Sequence, residues 1–381
     1  MGRQQHTNVC RKITITGKAI LGNGESSQKT SFPMRFLCGF LMTLMKESGC
    51  MHEEFTTIFA AGDTLDHYRL DATVGQSGRS TVYRATDLRE GKQVALRIPH
   101  AEMEADPVLL ERFKREEEIG QHFHHPGIVK IFDGEHRSRL YMVMEWVDGR
   151  PLRAILNEQA AHGERKMPIE RAVKITIGIC NALDYLHKHG VVLRDLKPEN
   201  VMVDGDDNIK LIDFGSAMKE DARRLTFAGS SPVLGTPNYI SPEQVKGHRG
   251  DQRNDIYAVG VMLYEMLTGR PPFTGSNPLA IMNERLLTDA TPARQLNPEI
   301  SPQLQEILFR ALERDPHNRY ATAGEMAREL ENQDQVSIED HARQPALKKR
   351  STLGQRKILL YVGLALVPVL LFGLMMMMSR R

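Results

Sequence analysis

The sequence predicts an α+β chain of two lobes, a five-stranded antiparallel N-lobe with one helix and a mainly helical C-lobe, plus one C-terminal transmembrane helix. Three observations predict it. Residues 68–145 place β-branched and aromatic runs between turn residues, as strands require. Beyond Gly149 the apolar residues recur at helical spacing. From Ile358 to Met378 there is no charged residue.

The strands come first in the chain. Tyr68 to about Ser80 reads as a strand running into a turn that carries Gly75 and Gly78. Thr81 to Thr86 has strand composition, and Val94 to Ile98 reads as the next strand, ended by Pro99. A charged helix follows over Pro107 to Gln121, and Ile128 to Phe132 and Leu140 to Glu145 complete the meander. In the second lobe Ile169, Val173, Ile177, Cys180, Leu183 and Leu186 recur at spacings of three and four, which predicts an amphipathic helix. Val261 to Leu267, Leu304 to Leu312 and Ala323 to Leu330 read as further helices. Short strands are expected around Val201 to Val203 and Ile209 to Ile212. Two lobes of different composition imply a cleft between them, a common place for a ligand.

Composition narrows the class. The chain has 381 residues, 26% charged and 41% hydrophobic, which is globular rather than disordered. A net charge of +2 gives no reason to expect a nucleic-acid partner. The four cysteines, Cys10, Cys38, Cys50 and Cys180, form no Cys-x-x-Cys pair. A disulfide framework or structural zinc is therefore not expected, and a reducing cytosol is the simplest setting. Cys180 falls on a helical apolar stripe and reads as a small core residue.

The ends differ from the middle. At 1.5 Å per residue, 358–378 would extend about 31 Å as a helix, close to the hydrocarbon thickness of a bilayer. Gly363, Pro368 and Gly373 within it are tolerated in lipid. Lys348, Lys349, Arg350, Arg356 and Lys357 precede it and only Arg380 and Arg381 follow, so the larger basic cluster, and the two lobes with it, should face the cytoplasm. The expected organisation is a disordered extension over 1–66 and a two-lobed domain over 67–332, divided at 147/148. A basic linker over 333–357 and the single-pass span over 358–378 follow. Phe32 to Met45 is apolar but holds Arg35 and lacks a small-residue cleavage site, which argues against a signal peptide. Met45 and Met51 are plausible translation starts.

The most specific segment is Leu193-Arg194-Asp195-Leu196-Lys197-Pro198-Glu199-Asn200, followed by Asp213-Phe214-Gly215. Phosphoryl transfer needs a carboxylate to orient a hydroxyl and accept its proton, oxygen ligands for Mg²⁺, and positive charge at the γ-phosphate. Asp195, Asn200 with Asp213, and Lys197 supply these groups. With these motifs the chain resembles the protein kinase family, specifically bacterial serine/threonine kinases of eukaryotic (Hanks) type, over Tyr68 to Leu330. The resemblance implies the bilobal protein-kinase-like fold, ATP with Mg²⁺ (or Mn²⁺), and protein Ser/Thr hydroxyls as acceptors. It makes Asp195 the catalytic base and gives Lys197 the γ-phosphate. Asn200 and Asp213 become the metal ligands.

It also implies roles elsewhere. Gly75, Gly78, Val82 and Ala95 would surround ATP, with Arg97 as the third-strand cation and Glu116 as its partner. Met144-Glu145-Trp146-Val147 resembles the interlobe hinge, where backbone groups of Glu145 and Val147 would meet adenine and Met144 would be the gatekeeper. Gly235 to Glu243 resembles the end of the activation segment, with Ser241 in place of the usual Ala. Thr236 would bond near Asp195 and Lys197, and a Thr there points to Ser/Thr substrates. Glu243 would pair with Arg319, and Asp255 would anchor the catalytic-loop backbone. Arg194 would meet a phosphate on the activation segment, where Thr226, Ser230 and Ser231 are the candidate phosphosites. A homodimer would serve autophosphorylation.

Three positions depart from the family pattern. The third strand reads Val94-Ala95-Leu96-Arg97, with arginine for lysine, a swap that is not conservative at a tight site. The glycine loop reads Gly75-Gln76-Ser77-Gly78-Arg79-Ser80, with serines that approach phosphate less freely than glycines. Leu193 replaces the histidine before Arg194. Arg97 therefore sets a second reading beside an active kinase, a membrane-tethered pseudokinase or weakly active kinase that binds nucleotide or partners. A third, a small-molecule kinase of related fold, is disfavoured because such relatives lack the Gly235 to Glu243 segment and its Arg319 partner.

Overall fold

The β-branched and aromatic residues of the first lobe form one antiparallel sheet. In the computed structural model, which describes residues 59–133, 137–163, 166–215, 217–219 and 238–338, its first four strands are β1 (Thr64–Leu65), β2 (Tyr68–Gln76), β3 (Ser80–Asp87) and β4 (Gln93–Pro99). Helices α1 (Ala101–Ala105) and α2 (Pro107–Gln121) follow, then β5 (Ile131–Phe132) and β6 (Met142–Glu145). The strand order is β1-β2-β3-β4-β6-β5, with every neighbour antiparallel.

Three sequence expectations are corrected here. The sheet has six strands, not five, because Thr64–Leu65, from the stretch assigned to the extension, pairs back on Tyr68 and Arg69. Two residues show no alternation to read, and the reversal depends on Asp66 at φ 52. The strand expected over 128–132 shrinks to its last two residues. Val129 N–H instead donates to Leu211 O at 2.9 Å and Leu211 N–H to Gly127 O at 2.9 Å, so this stretch bridges to the second lobe. The lobe carries two helices rather than one, divided at Asp106, whose side chain caps α2 by accepting from Val108 N–H at 2.8 Å ahead of Pro107 at the first turn.

In the second lobe β7 (Gly149–Pro151) leads into α3 (Leu152–Ala161) and then α4 (Ile169–Lys188). Four residues of the stripe expected on α4 are buried, namely Val173, Cys180, Leu183 and Leu186, while Ile169 and Ile177 are partly so. Strand β8 (Val191–Val192) pairs with β11 (Met218–Lys219), and β9 (Val201–Asp204) lies between β7 and β10 (Ile209–Leu211). Then come α5 (Pro242–Val245), α6 (Arg253–Thr268), α7 (Pro278–Leu287), α8 (Ala293–Leu296), α9 (Pro302–Ala311) and α10 (Ala323–Glu331). Helix α6 begins well before the expected Val261. It is buried on all sides, so its first turns show no polar face from which to read a period.

One apolar cluster runs through both lobes, from Ala95 and Phe113 through Phe214 to the residues of α4, α6, α9 and α10. Val336 packs against it, so the first residues expected of the linker belong to the fold. No described helix is long and apolar enough to cross a membrane. The span expected over 358–378 and the extension up to residue 58 lie outside the described residues.

A buried, bidentate ion pair joins α5 to the loop after α9. Arg319 Nη1 and Nη2 donate to Glu243 Oε1 and Oε2, each at 2.7 Å, and Arg319 also donates to Glu313 O and Arg253 O. Removing one member of such a pair leaves the other charged and unpaired in the interior. Glu243→Ala should lower unfolding stability by about 3–5 kcal/mol, read from urea denaturation.

Candidate active site

The site is built upward from Asp255 on α6. Its carboxylate is buried and accepts three hydrogen bonds: from Leu193 N–H (3.0 Å), from Arg194 N–H (2.8 Å) and from His187 Nε2 (2.8 Å). Two consecutive amides drawn to one carboxylate force the chain to curl, and Arg194 takes φ 68. That value is uncommon for a residue with a Cβ and persists only where the surroundings impose it. Gln244 of α5 supports the same bend by donating to Arg194 O at 2.9 Å.

This bend presents Asp195. Lys197 Nζ donates to Asp195 Oδ2 at 2.8 Å. Burial raises the Asp195 carboxyl, Lys197 pulls it down, and Asp213 adds to the rise; the net direction is up. Lys197 is raised as well: burial opposes its charge, but Asp195, Asp213 and Glu199 together outweigh that. Asn200, also buried, donates from Nδ2 to the backbone O of Asp195 at 3.1 Å, which leaves its Oδ1 as the acceptor end.

The second group centres on Gly215. Its N–H donates to Asp213 Oδ1 at 2.9 Å. A Cβ at this position would lie 3.1 Å from Glu116 Oε2 and 3.3 Å from Asp213 Oδ1, so any other residue would make the two carboxylates give way by a few tenths of an ångström. Glu116 is 2% exposed. Burial pushes its carboxyl up to about 7, Arg97 pulls it down, Asp213 raises it further, and the Phe214 backbone N–H lowers it. Arg97 Nη1 donates to Glu116 Oε1 at 2.8 Å, its Nε donates to Ser80 Oγ at 3.1 Å, and its guanidinium lies 5.8 Å from the Phe113 ring centre. Arginine at position 97 thus keeps the ion pair with α2 and adds a contact to β3.

The loop between β2 and β3 is closed by a serine rather than by glycine freedom. Ser77 N–H and Oγ both donate to Ser80 O, at 2.9 and 3.1 Å, and Ser80 N–H donates back to Ser77 Oγ at 3.1 Å. Neither Gly75 nor Gly78 has a positive φ, and a Cβ on Gly78 would meet nothing within 4 Å. Gly75 sits opposite Val82 in the β2–β3 ladder, while Ala95 and Met144 are in the main core. At the hinge, Glu145 N–H is taken by Lys130 O at 2.9 Å, and the Glu145 carboxylate accepts from Lys130 N–H and Lys210 Nζ. That amide is used by Lys130, the residue before β5, and Val147 O accepts from Gly149 N–H at 3.0 Å.

Two features were not read from the sequence. Ser241, noted only as a departure, forms a capping box with Gln244 on α5 and donates to Asn254 Oδ1 at 3.0 Å. Its Ser-x-x-Gln spacing was the available signal. Arg153 on α3 bonds Glu199 Oε1 at 3.1 Å and Glu265 Oε1 at 2.9 Å, and also meets Tyr239, which itself donates to Glu265. These are single charges far apart in the chain, with no local pattern. Thr226, Ser230, Ser231 and Thr236 lie outside the described residues.

The metal donors can be judged on their chemistry. Among the described residues no group of three or more His, Cys, Asp or Glu side chains is placed to hold a metal ion by itself. Asn200 and Asp213 instead offer an amide oxygen and a carboxylate, the kind of sparse set from which Mg²⁺ completes its shell with phosphate and water oxygens.

Residues 68–331 match the model of the protein kinase domain family, and the chain belongs to that family. It is 40% identical over 269 residues to a probable serine/threonine-protein kinase of Streptomyces coelicolor, an alignment covering 69% of this chain and 39% of that protein. It is 37% identical over 270 residues to the serine/threonine-protein kinase PknB of Mycolicibacterium smegmatis, and likewise to PknB of Mycobacterium leprae, covering 70% of this chain and 42% of each relative. The chain thus spans about two fifths of the length of these relatives.

The Glu116 carboxyl gives a pH test. A carboxyl raised from 4.5 to about 7 binds its proton in the folded state where the unfolded chain has lost it. Its contribution is therefore fully present below about pH 4.5 and lost as pH rises through about 7, a change of about 3 kcal/mol. Glu116→Gln should remove this slope. Urea unfolding at pH 5 and pH 8 should show wild type losing stability relative to the variant at the higher pH.

Proposed function

We propose that this chain is a serine/threonine protein kinase that transfers the γ-phosphate of ATP to protein Ser/Thr hydroxyls while anchored to a membrane through 358–378. The observation that carries the reading is that Lys197 and Asn200 both bond Asp195, while the Asp213 charge acts on Asp195, Lys197 and Glu116, the carboxylate that Arg97 bonds. In the reaction, Asp195 orients the acceptor hydroxyl and takes its proton as that oxygen bonds the γ-phosphorus and the bond from the γ-phosphorus to the β-phosphate oxygen breaks, so that ADP leaves. Its raised carboxyl suits proton acceptance better than an ordinary aspartate does. Lys197, held at 2.8 Å from Asp195, brings positive charge to the transferring phosphoryl group. Asn200 Oδ1 and Asp213 would hold Mg²⁺, which offsets charge on the phosphate oxygens. Arg97, steadied by Glu116, would contact the phosphates behind the γ position, and the carbonyl of Glu145 with the N–H of Val147 would take adenine.

The relatives named serine/threonine kinases support the choice of acceptor. The uncharged run 358–378 and the basic residues before it support a single-pass anchor with the kinase domain on the cytoplasmic side. Autophosphorylation within a homodimer at Thr226, Ser230 or Ser231 would bring a phosphate to Arg194.

A second reading, a membrane-tethered pseudokinase, rests on Arg97 in place of lysine. The two separate in one experiment. Wild-type chain with labelled ATP and Mg²⁺ should incorporate phosphate on serine and threonine, and Asp195→Asn should slow this roughly 10²- to 10⁴-fold. Equal incorporation by both proteins, or none by either, would sink the kinase reading. Deletion of 358–378 should move the protein from the membrane fraction to the supernatant on cell fractionation while leaving nucleotide binding intact.

A further inference from the structure

Arginine at the third-strand position brings a problem of orientation. A lysine there is a compact point charge, whereas a guanidinium is a planar fork whose usefulness depends on how it is rotated. The strands around Arg97 supply a fixed reference. In the β3–β4 ladder Arg97 lies opposite Val82, and Ser80 lies two residues along β3. Residues two apart on a strand share a face, so Ser80 and Val82 stand on the same side of the sheet, with Ser80 as the diagonal neighbour of Arg97. Long side chains reach that diagonal, and Arg97 Nε donates to Ser80 Oγ at 3.1 Å. Nη1 is occupied by Glu116 at 2.8 Å. Fixing two of the three nitrogens of a planar group fixes its plane. Nη2 is left with no acceptor among the described residues, on a side chain that is 22% exposed.

We propose that Ser80 is the positioning residue that allows arginine to serve as the phosphate-contacting cation at position 97, by holding Nε so that Nη2 stays turned to a nucleotide phosphate oxygen. The inference rests on the kinase reading above. It also gives the loop before β3 a mechanical role. The residue that orients Arg97 through its side chain closes the loop through its backbone, since Ser80 N–H and O are the groups that engage Ser77. The loop over the phosphates and the cation beneath them are thereby tied to one residue. Lysine at 97 has no Nε–H fork, so in that background the Ser80 hydroxyl has nothing to orient.

The test follows from that difference. Ser80→Ala removes the hydroxyl but keeps the backbone bonds that close the loop, and thermal unfolding checks that the fold is intact. Binding of a non-hydrolysable ATP analogue to the full chain, followed by calorimetry, needs no turnover. Ser80→Ala should weaken binding about 10-fold, the scale of a hydrogen bond to a charged group. Ser80→Thr should bind within about twofold of wild type, as should Ser80→Ala in an Arg97→Lys background relative to Arg97→Lys alone. Equal weakening by Ser80→Ala in both backgrounds, or no weakening in the arginine background, overturns the proposal. A wild-type chain that does not bind the analogue overturns the reading of the site as well, which separates the two failures.

Discussion

A single buried carboxylate sets the geometry on which the rest depends. Asp255 is removed from water, and a charge there is tolerable only because three donors surround it. Those donors are consecutive backbone amides of the catalytic loop and the imidazole of His187 at the end of α4. Satisfying them bends the chain at Arg194 into a conformation that a side chain disfavours. The strain is offset by the hydrogen bonds that Leu193 N–H and Arg194 N–H make to the Asp255 carboxylate. Without Asp255 the loop residues would keep their sequence but lose their common direction.

The second constraint links the lobes. Glu116 belongs to a helix of the strand-rich lobe, yet its carboxylate flanks Gly215 beside Asp213 and is bonded by Arg97 from β4. One side chain thus couples the helix, the sheet and the Asp-Phe-Gly turn. Its burial is costly, and the cost is offset only while Arg97 and the Phe214 amide are in place. The bridge between Ile128 and Leu211 ties the same two regions through the backbone. These directional contacts add to the apolar cluster that runs through both lobes.

Much of this was legible in the sequence, for identifiable reasons. Asp195, Lys197 and Asn200 lie within six residues of one another and Asp213 follows closely, so their shared chemistry can be read as a local pattern. The stripe on α4 has a polar face to contrast with, and its period is visible. Helix α6 lacks that contrast, and its start was missed. The pairing of Glu243 with Arg319, 76 residues apart, came only through family resemblance, because no local signal joins them. The Arg153 contacts to Glu199 and Glu265 had no such guide. The left-handed backbone at Arg194 is imposed by tertiary contact and could not be read from residue type. In the loop between β2 and β3 the sequence points to Gly75 and Gly78, while the turn is made by Ser77, a residue whose hydroxyl commonly imitates a backbone turn.

That serine turn has a thermodynamic consequence. A glycine-rich segment explores many conformations when empty and must give them up to cover a ligand. Here the Ser77 hydroxyl donates to Ser80 O and accepts from the N–H groups of Arg79 and Ser80, and Ser77 N–H donates to Ser80 O, which already restricts the tip; serine itself has fewer accessible backbone states than glycine. Less conformational freedom remains at this tip than in a glycine-rich loop, so the segment is already shaped in the absence of a ligand.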